Sequence, residues 1–200
     1  DGTITSQVSA NVDAGFSIVK YTGNGSGNNT SVNVGHGLSS APELVIAKIL
    51  DSGAWQIQYA KDSDNLAGGF TTSHFVNHGA VVPTSTVFNP YYANTSNNFI
   101  TYCFHSVDGY QKVGSYSGTG VAGNKQTLGF SPRFIMTKPT SIAGSWAIMD
   151  VVRPNSNYLL PNTSDVETPA DFLNFESDGF SFKDGTANSQ GATYIYLAIA

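Results

Sequence analysis

The side chains in this chain best suited to catalysing a reaction are carboxylates: Asp165, Glu167 and Asp171, and the close pair Glu176 and Asp178. Two carboxyl groups ~5–10 Å apart, one protonated and one ionised, can cleave a glycosidic bond. Against that, Asp178 precedes Gly179 and reads as a turn residue, and acidic residues ordinarily sit in solvated loops. A serine nucleophile needs a histidine and an acid beside it, ideally on a Gly-x-Ser-x-Gly elbow. Gly25-Ser26-Gly27 and Gly114-Ser115-Tyr116 do not fit that elbow, and a chain rich in Gly and Ser contains such runs by composition. His74 and His78 are spaced to share one face of a strand or helix, but no cysteine or third histidine lies nearby. His36, between two glycines, reads as a turn residue. Asp62 and Asp64, with Asp51 upstream, offer the hard oxygens that Ca²⁺ takes, without the spacing of an EF-hand. They are the weak metal candidates, and no cofactor is expected.

Sugar binding asks for something different. It needs an exposed aromatic face for the C–H groups of a sugar and amides or hydroxyls for its oxygens. Tyr91-Tyr92-Ala93-Asn94 and Asn97 have that composition, in a loop opened by Pro90. Tyr158, beside Asn157, holds a comparable place later in the chain. The competing reading is plain: aromatics in β proteins are mostly core, and Asn/Ser stretches are mostly loops. Trp55 and Trp146 are expected in the core, because each is followed two residues on by an isoleucine, Ile57 and Ile148, on the same strand face.

The elements that must hold these residues read as strands. Ser31–Val34 and Trp55–Tyr59 alternate polar and apolar, the period of a half-buried strand. Leu44–Ala47 and Phe134–Met136 are short apolar runs after a proline, as in central strands. Phe172–Phe182 reads as a hairpin turning at Asp178-Gly179. A short helix over Ser164–Leu173 is the alternative there, with Ser164 as cap, although Pro169 interrupts it.

Comparing the chain with itself reveals order on a larger scale. Tyr21-Thr-Gly23-Asn-Gly25 is answered by Tyr116-Ser-Gly118-Thr-Gly120, and Gly53-Ala-Trp55 by Gly144-Ser-Trp146. Pro42 to Lys48 is answered by Pro132 to Lys138, and Phe99–Phe104 by Tyr194–Ile199. The offset stays near ~90–95 residues, which predicts two repeats, 15–105 and 109–200, after a connecting segment or first strand at 1–14. With about nine Leu in all, a half would bury little core alone. The reading favours one pseudo-symmetric sandwich, with two abutting small sandwiches as the alternative.

Composition excludes several classes. Of 200 residues, 12% are charged and 40% apolar, with a net charge of −5. Ser, Thr, Asn and Gly make up about 40%, so a helical bundle lacks its raw material. The apolar share argues against disorder. Nine scattered Lys and Arg do not make a nucleic-acid surface, so no nucleic acid is expected as a partner. No run approaches a membrane span, so no membrane insertion is expected. One cysteine, Cys103, cannot form an internal disulfide and reads as a small buried hydrophobe. The chain opens on Asp1-Gly2 without a signal-peptide pattern and reads as a processed chain or an excised piece.

These residues also carry a resemblance. The opening Thr3–Gly25, Val34-Gly-His-Gly-Leu38, the strand running to Lys48, Ala54-Trp55, Asp108–Gly118 and Gly191–Ala198 resemble a recurrent module of phage tail-fibre and virion appendage proteins, particularly of marine phages. The resemblance covers nearly the whole chain, and its motifs are structural: turns, aromatic strand positions and Trp strands. It implies an all-β, antiparallel, lectin-like sandwich of jelly-roll or concanavalin-like type on a virion, outside the cell. It further implies attachment to a host-surface glycan or protein, contacts with other virion proteins, and a homo-oligomer, by default a homotrimer. No catalytic pattern comes with it. A purely structural virion domain and a polysaccharide depolymerase are the alternatives.

Overall fold

Among the residues the structure describes, every regular element is a β-strand. The computed structural model describes residues 1–200 apart from 28, 29, 52, 54, 62, 63, 78–80, 91–93, 154–156 and 170. Asp62, Tyr91 and Tyr92 therefore lie outside the described residues. The chain divides into two compact units, Asp1–Gly69 with Val76–Val107, and Phe70–Phe75 with Asp108–Ala200. No described strand of one unit pairs with a strand of the other.

The first unit holds β1 (Ser6–Asn11), β2 (Phe16–Thr22), β3 (Val34–Gly35), β4 (Leu44–Ile49), β5 (Trp55–Tyr59), β6 (Leu66–Gly68), β7 (Val76–Asn77), β8 (Val87–Phe88) and β9 (Asn98–Phe104). Seven of them form one antiparallel sheet in the order β1-β2-β9-β4-β5-β6-β7, and β3 pairs with β8. Alternation in β2 turns Val19 and Tyr21 to one face. There they meet Val45, Ala47, Ile49, Phe99 and Cys103 of the same sheet and Val34 and Phe88 of the small one. Tyr21 stacks on Phe99 at 5.0 Å and meets the edge of Phe88 at 6.2 Å. Each such buried side chain contributes ~1.5–3 kcal/mol, which is what holds the two layers together. Cys103 is fully buried in this core, and burial pushes its thiol up to about 12.

The second unit holds β10 (Gln111–Ser117), β11 (Lys125–Thr127), β12 (Phe134–Pro139), β13 (Ala147–Asp150), β14 (Asn157–Leu159), β15 (Thr168–Pro169), β16 (Leu173–Glu176), β17 (Gly179–Phe182) and β18 (Thr193–Ile199). The large sheet runs β10-β18-β12-β13-β14-β15 and the small one β11-β17-β16. Tyr116, Ile135, Met149, Tyr194 and Tyr196 of the large sheet enclose Phe180 and Phe182 of the small one. This order matches β2-β9-β4-β5-β6-β7 strand for strand, displaced by about 90–95 residues. Among the described residues, β1 and β16 have no counterpart in the other unit.

Four expectations are corrected in detail. Among the described residues of 164–173 there is no helix; Thr168–Pro169 is instead the edge strand β15, a position where proline need not cost a ladder bond. The β16–β17 hairpin turns one residue earlier than read, because Glu176 pairs with Gly179. Gly179 is needed there not for the turn but for space, since a Cβ would lie 2.0 Å from the Gln126 carbonyl of β11. Trp146 and Ile57 are buried, but Trp55 and Ile148 are only half-buried. Trp55 starts its strand and is covered on one side by Lys48, whose ammonium lies 5.1 Å above the ring.

His36 is more than a turn residue. It is fully buried: Nδ1 accepts from the Leu38 amide at 3.1 Å, which leaves Nε2 to donate to the Thr84 carbonyl at 3.1 Å. Desolvation, with a contribution from His105, holds the imidazole below its ordinary 6.5, against the opposing pull of Thr84. The folded state thus binds fewer protons than the unfolded one. The stability from neutral His36 is present above pH 6.5 and falls as pH drops below it. Urea unfolding at a series of pH values is expected to show that loss, and His36→Gln to flatten it; an unchanged slope in the variant refutes the assignment.

Candidate functional site

Two loops that precede strands of the second unit frame a cleft of about 310 Å³. One loop, 140–146, joins β12 to β13; the other, 183–192, leads into β18. Each is fixed by hydrogen bonds, several of them from residues distant in sequence. Lys138 Nζ donates to the Gly144 carbonyl at 2.6 Å, and the Gly144 amide to Thr72 at 2.8 Å. Asn162 Oδ1 accepts the Trp146 amide at 2.8 Å, while its Nδ2 reaches Ser145 Oγ at 3.2 Å. Lys138 is wholly buried, and burial pushes its ammonium down to about 8.

The second loop turns about Asn188, which is fully buried. Its Oδ1 accepts from the Thr119 amide at 3.0 Å and from Asn124 Nδ2 at 2.7 Å. Its Nδ2 donates to the Val121 and Asp184 carbonyls, both at 2.9 Å. The neighbouring Ala187 takes φ 50°, the one non-glycine residue in the left-handed region among those described. Such a backbone costs ~1–3 kcal/mol and persists only where its surroundings fix it. Here the Ala187 carbonyl accepts Tyr116 Oη at 2.6 Å.

The floor and walls are aromatic. Tyr158 of β14 sits beside Met149 in register and meets Phe172 edge-on at 5.4 Å and 84°. Tyr194, Ala147 and Pro139 complete the inner surface, with Leu160 and the exposed Ile142 at the margin. Ser145, Thr186 and Ser189 bring hydroxyls, the last two exposed. Among the described residues, no Asp, Glu, His, Lys or Arg lines the cleft. It offers contact area and neutral hydrogen-bonding groups.

Of the sequence-predicted sugar contacts, Tyr158 reaches this cleft. Asn157 does not line it: successive strand residues face opposite ways. Its Nδ2 points to Glu167 at 3.3 Å, in a cluster where Arg153 pairs with both Asp150 and Glu167. Asn94 is buried and spends its amide on hydrogen bonds within its own unit. Its Oδ1 accepts the Asn24 amide at 3.1 Å, and its Nδ2 donates to Ser26 Oγ at 2.9 Å and Gly27 O at 3.3 Å. Asn97 is half-buried, its Nδ2 on Thr95 Oγ1 at 3.0 Å and its carbonyl on the Gly23 amide at 3.0 Å. Asn94 and Asn188 therefore do the same work in the two units, each tying the Gly-x-Gly loop to the approach of the closing strand. In both, a Cβ on the first glycine would strike that approach, 1.9 Å from Thr95 O at Gly23 and 2.1 Å from Ser189 O at Gly118.

Four of the acidic candidates, Glu167, Asp171, Glu176 and Asp178, are paired with cations, while Asp165 is exposed. Glu167 meets Arg153, Asp171 meets Lys183, and Glu176 and Asp178 share Lys125 at 3.0 and 2.8 Å. Hydrogen bonds from Ser181 and Lys125 hold the Glu176 carboxyl below its ordinary range, and Lys125 does the same for Asp178. A glycosidase acid needs the opposite shift. Asp51 accepts the Asn98 amide at 2.8 Å, and the Asp64 amide donates to Lys61. Among the described residues no three His, Cys, Asp or Glu side chains gather as a metal site would require.

Sequence reading overlooked Ser145, Thr186, Ala187 and Ser189, which nothing local distinguishes from loop filler. Asn188 was within reach, since Asn188-Ser189 stands before β18 as Asn94-Thr95 stands before β9. A family model described as a domain of unknown function (DUF7483) matches residues 1–200. No curated protein and no solved structure matches the chain.

Proposed function

We propose that this chain, which belongs to the DUF7483 family, is a non-enzymatic attachment domain of a phage tail fibre or other virion appendage. It works outside the cell, contacts a host-surface glycan or protein, and packs with other virion proteins in a homo-oligomer, by default a trimer. The observation that carries this reading is the cleft of the second unit, which joins aromatic faces to hydroxyl groups without an ionised side chain. The resemblance of the turns and Trp strands to fibre modules supports the setting. A single neutral site binds weakly, and copies tethered on a fibre raise the effective concentration.

Binding of the intact oligomer to host cells and to a panel of surface glycans tests the proposal. Retention on cells or on a subset of glycans is the expected result. Failure to bind either, with the oligomer intact, overturns it. Release of new reducing ends from host polysaccharide would replace it with a depolymerase.

A further inference from the structure

We infer that the cleft binds one neutral pyranose ring, at one site per chain. The inference rests on the attachment reading and narrows its ligand from a surface glycan to an uncharged sugar unit. Size is the first argument. At about 310 Å³ the cleft stands at the small end of ligand pockets and holds the volume of roughly ten waters. That suits a single ring and excludes an extended oligosaccharide lying along it.

Chemistry is the second argument. A pyranose presents C–H groups on one face and hydroxyls around its edge. The cleft answers both, with the Tyr158 ring, braced by Phe172, as a platform and Ser145, Thr186 and Ser189 as hydroxyl partners. Absence of charge sets the selectivity. A uronic or sialic acid would lose the hydration of its carboxylate and find no Lys, Arg or His in the lining to replace it. The cleft thus selects against acidic sugars by desolvation, while neutral hexoses pass.

Preorganisation is the third argument. Ala187 is held in a strained conformation at the cleft wall by Tyr116 and by the bonds of Asn188 next to it. The loop has its shape before any ligand arrives, so binding loses little conformational entropy. One wall is Phe172, which leads into β16, a strand with no counterpart in the small sheet of the first unit among the described residues. For that reason the site is assigned to the second unit alone.

Saturation-transfer NMR and titration of the intact chain with neutral methyl hexopyranosides, and with glucuronate and sialic acid, test the inference. Two variants accompany it: Tyr158→Ala removes the platform, and Ala143→Trp blocks the cleft from an exposed rim position that leaves the core untouched. The expected result is one neutral sugar per chain, at least about tenfold weaker binding of the acidic ones, and a similar loss in both variants. Equal binding of acidic sugars, or variants that bind like the parent, overturns the inference. If the intact chain holds host glycans while both variants hold them equally, the cleft assignment fails and the attachment reading stands. If the cleft binds neutral sugars but the oligomer ignores host cells and glycans, the attachment reading fails instead.

Discussion

Replacing Asn188 by alanine is expected to destabilise the second unit by about 3 kcal/mol. Two donors and two acceptors converge on this amide at 2.7–3.0 Å, and its side chain is inaccessible to water. A typical buried hydrogen bond contributes ~1 kcal/mol, and leaving its partner unmet costs ~1–3 kcal/mol. Some of that is recovered, because Val121 and Asp184 are exposed and can turn to solvent. Asn188→Asp should be no better, since it keeps the shape but exchanges the two donors to carbonyls for repulsion. Urea unfolding monitors the loss, and amide exchange at Thr119 and Gly120 locates it, the Gly120 amide donating to the Asn188 carbonyl at 2.6 Å. A change under about 0.5 kcal/mol would place the stability of the loop elsewhere. Asn94→Ala should follow the same course more mildly, because its partners Asn24, Ser26 and Gly27 lie on a more open loop.

Trp146→Ala is expected to cost about 3–5 kcal/mol, the range for emptying a large aromatic site in a close-packed interior. Trp146 is 1% exposed and meets Phe70 at 5.0 Å and Phe75 at 6.1 Å. Those two rings belong to a six-residue segment that is short of other apolar anchors and is joined to the unit by the bonds Phe75 N to Thr140 O and Gly144 N to Thr72 O. Removing the indole takes away the surface on which the segment packs. Amide exchange at Phe75 and Gly144 should accelerate together with the loss of global stability. Trp55→Ala is the control: half-exposed beside Lys48, it should cost ~1 kcal/mol. Equal effects from the two substitutions would contradict the different burial of the two rings.

Much of the candidate site was out of reach from sequence, for one physical reason. A loop asparagine that contacts a ligand and one that holds the loop itself have the same local neighbours. Asn94, flanked by hydroxyls and aromatics, has the composition of a sugar contact and the position of a structural tie. Tyr158 was legible as an aromatic beside amides, but the sequence could not show that Tyr158 lines the cleft and Asn157 does not, because neighbours on a strand face opposite ways. The charged pairs Arg153 with Glu167 and Lys125 with Glu176 and Asp178 join residues brought together by the packing of separate elements and loops, so their neutralisation could not be foreseen.

What the amino-acid order determines by itself is whatever depends on near neighbours. Alternation and β-branched or aromatic runs specify strands, Gly-x-Gly and Asp-Gly steps specify turns, and the low charge and high hydroxyl content specify an all-β chain with neutral loops. The matched order of motifs, about 90–95 residues apart, is legible along the chain, and the two large sheets share a strand order. Only the tertiary structure decides which loop residues meet. It folds Asn188 back onto a loop 64–69 residues earlier in the chain, sets Phe70–Phe75 against Trp146, and strains Ala187 at the wall of a cleft. Such contacts depend on how whole sheets pack, and packing depends on all the side chains together.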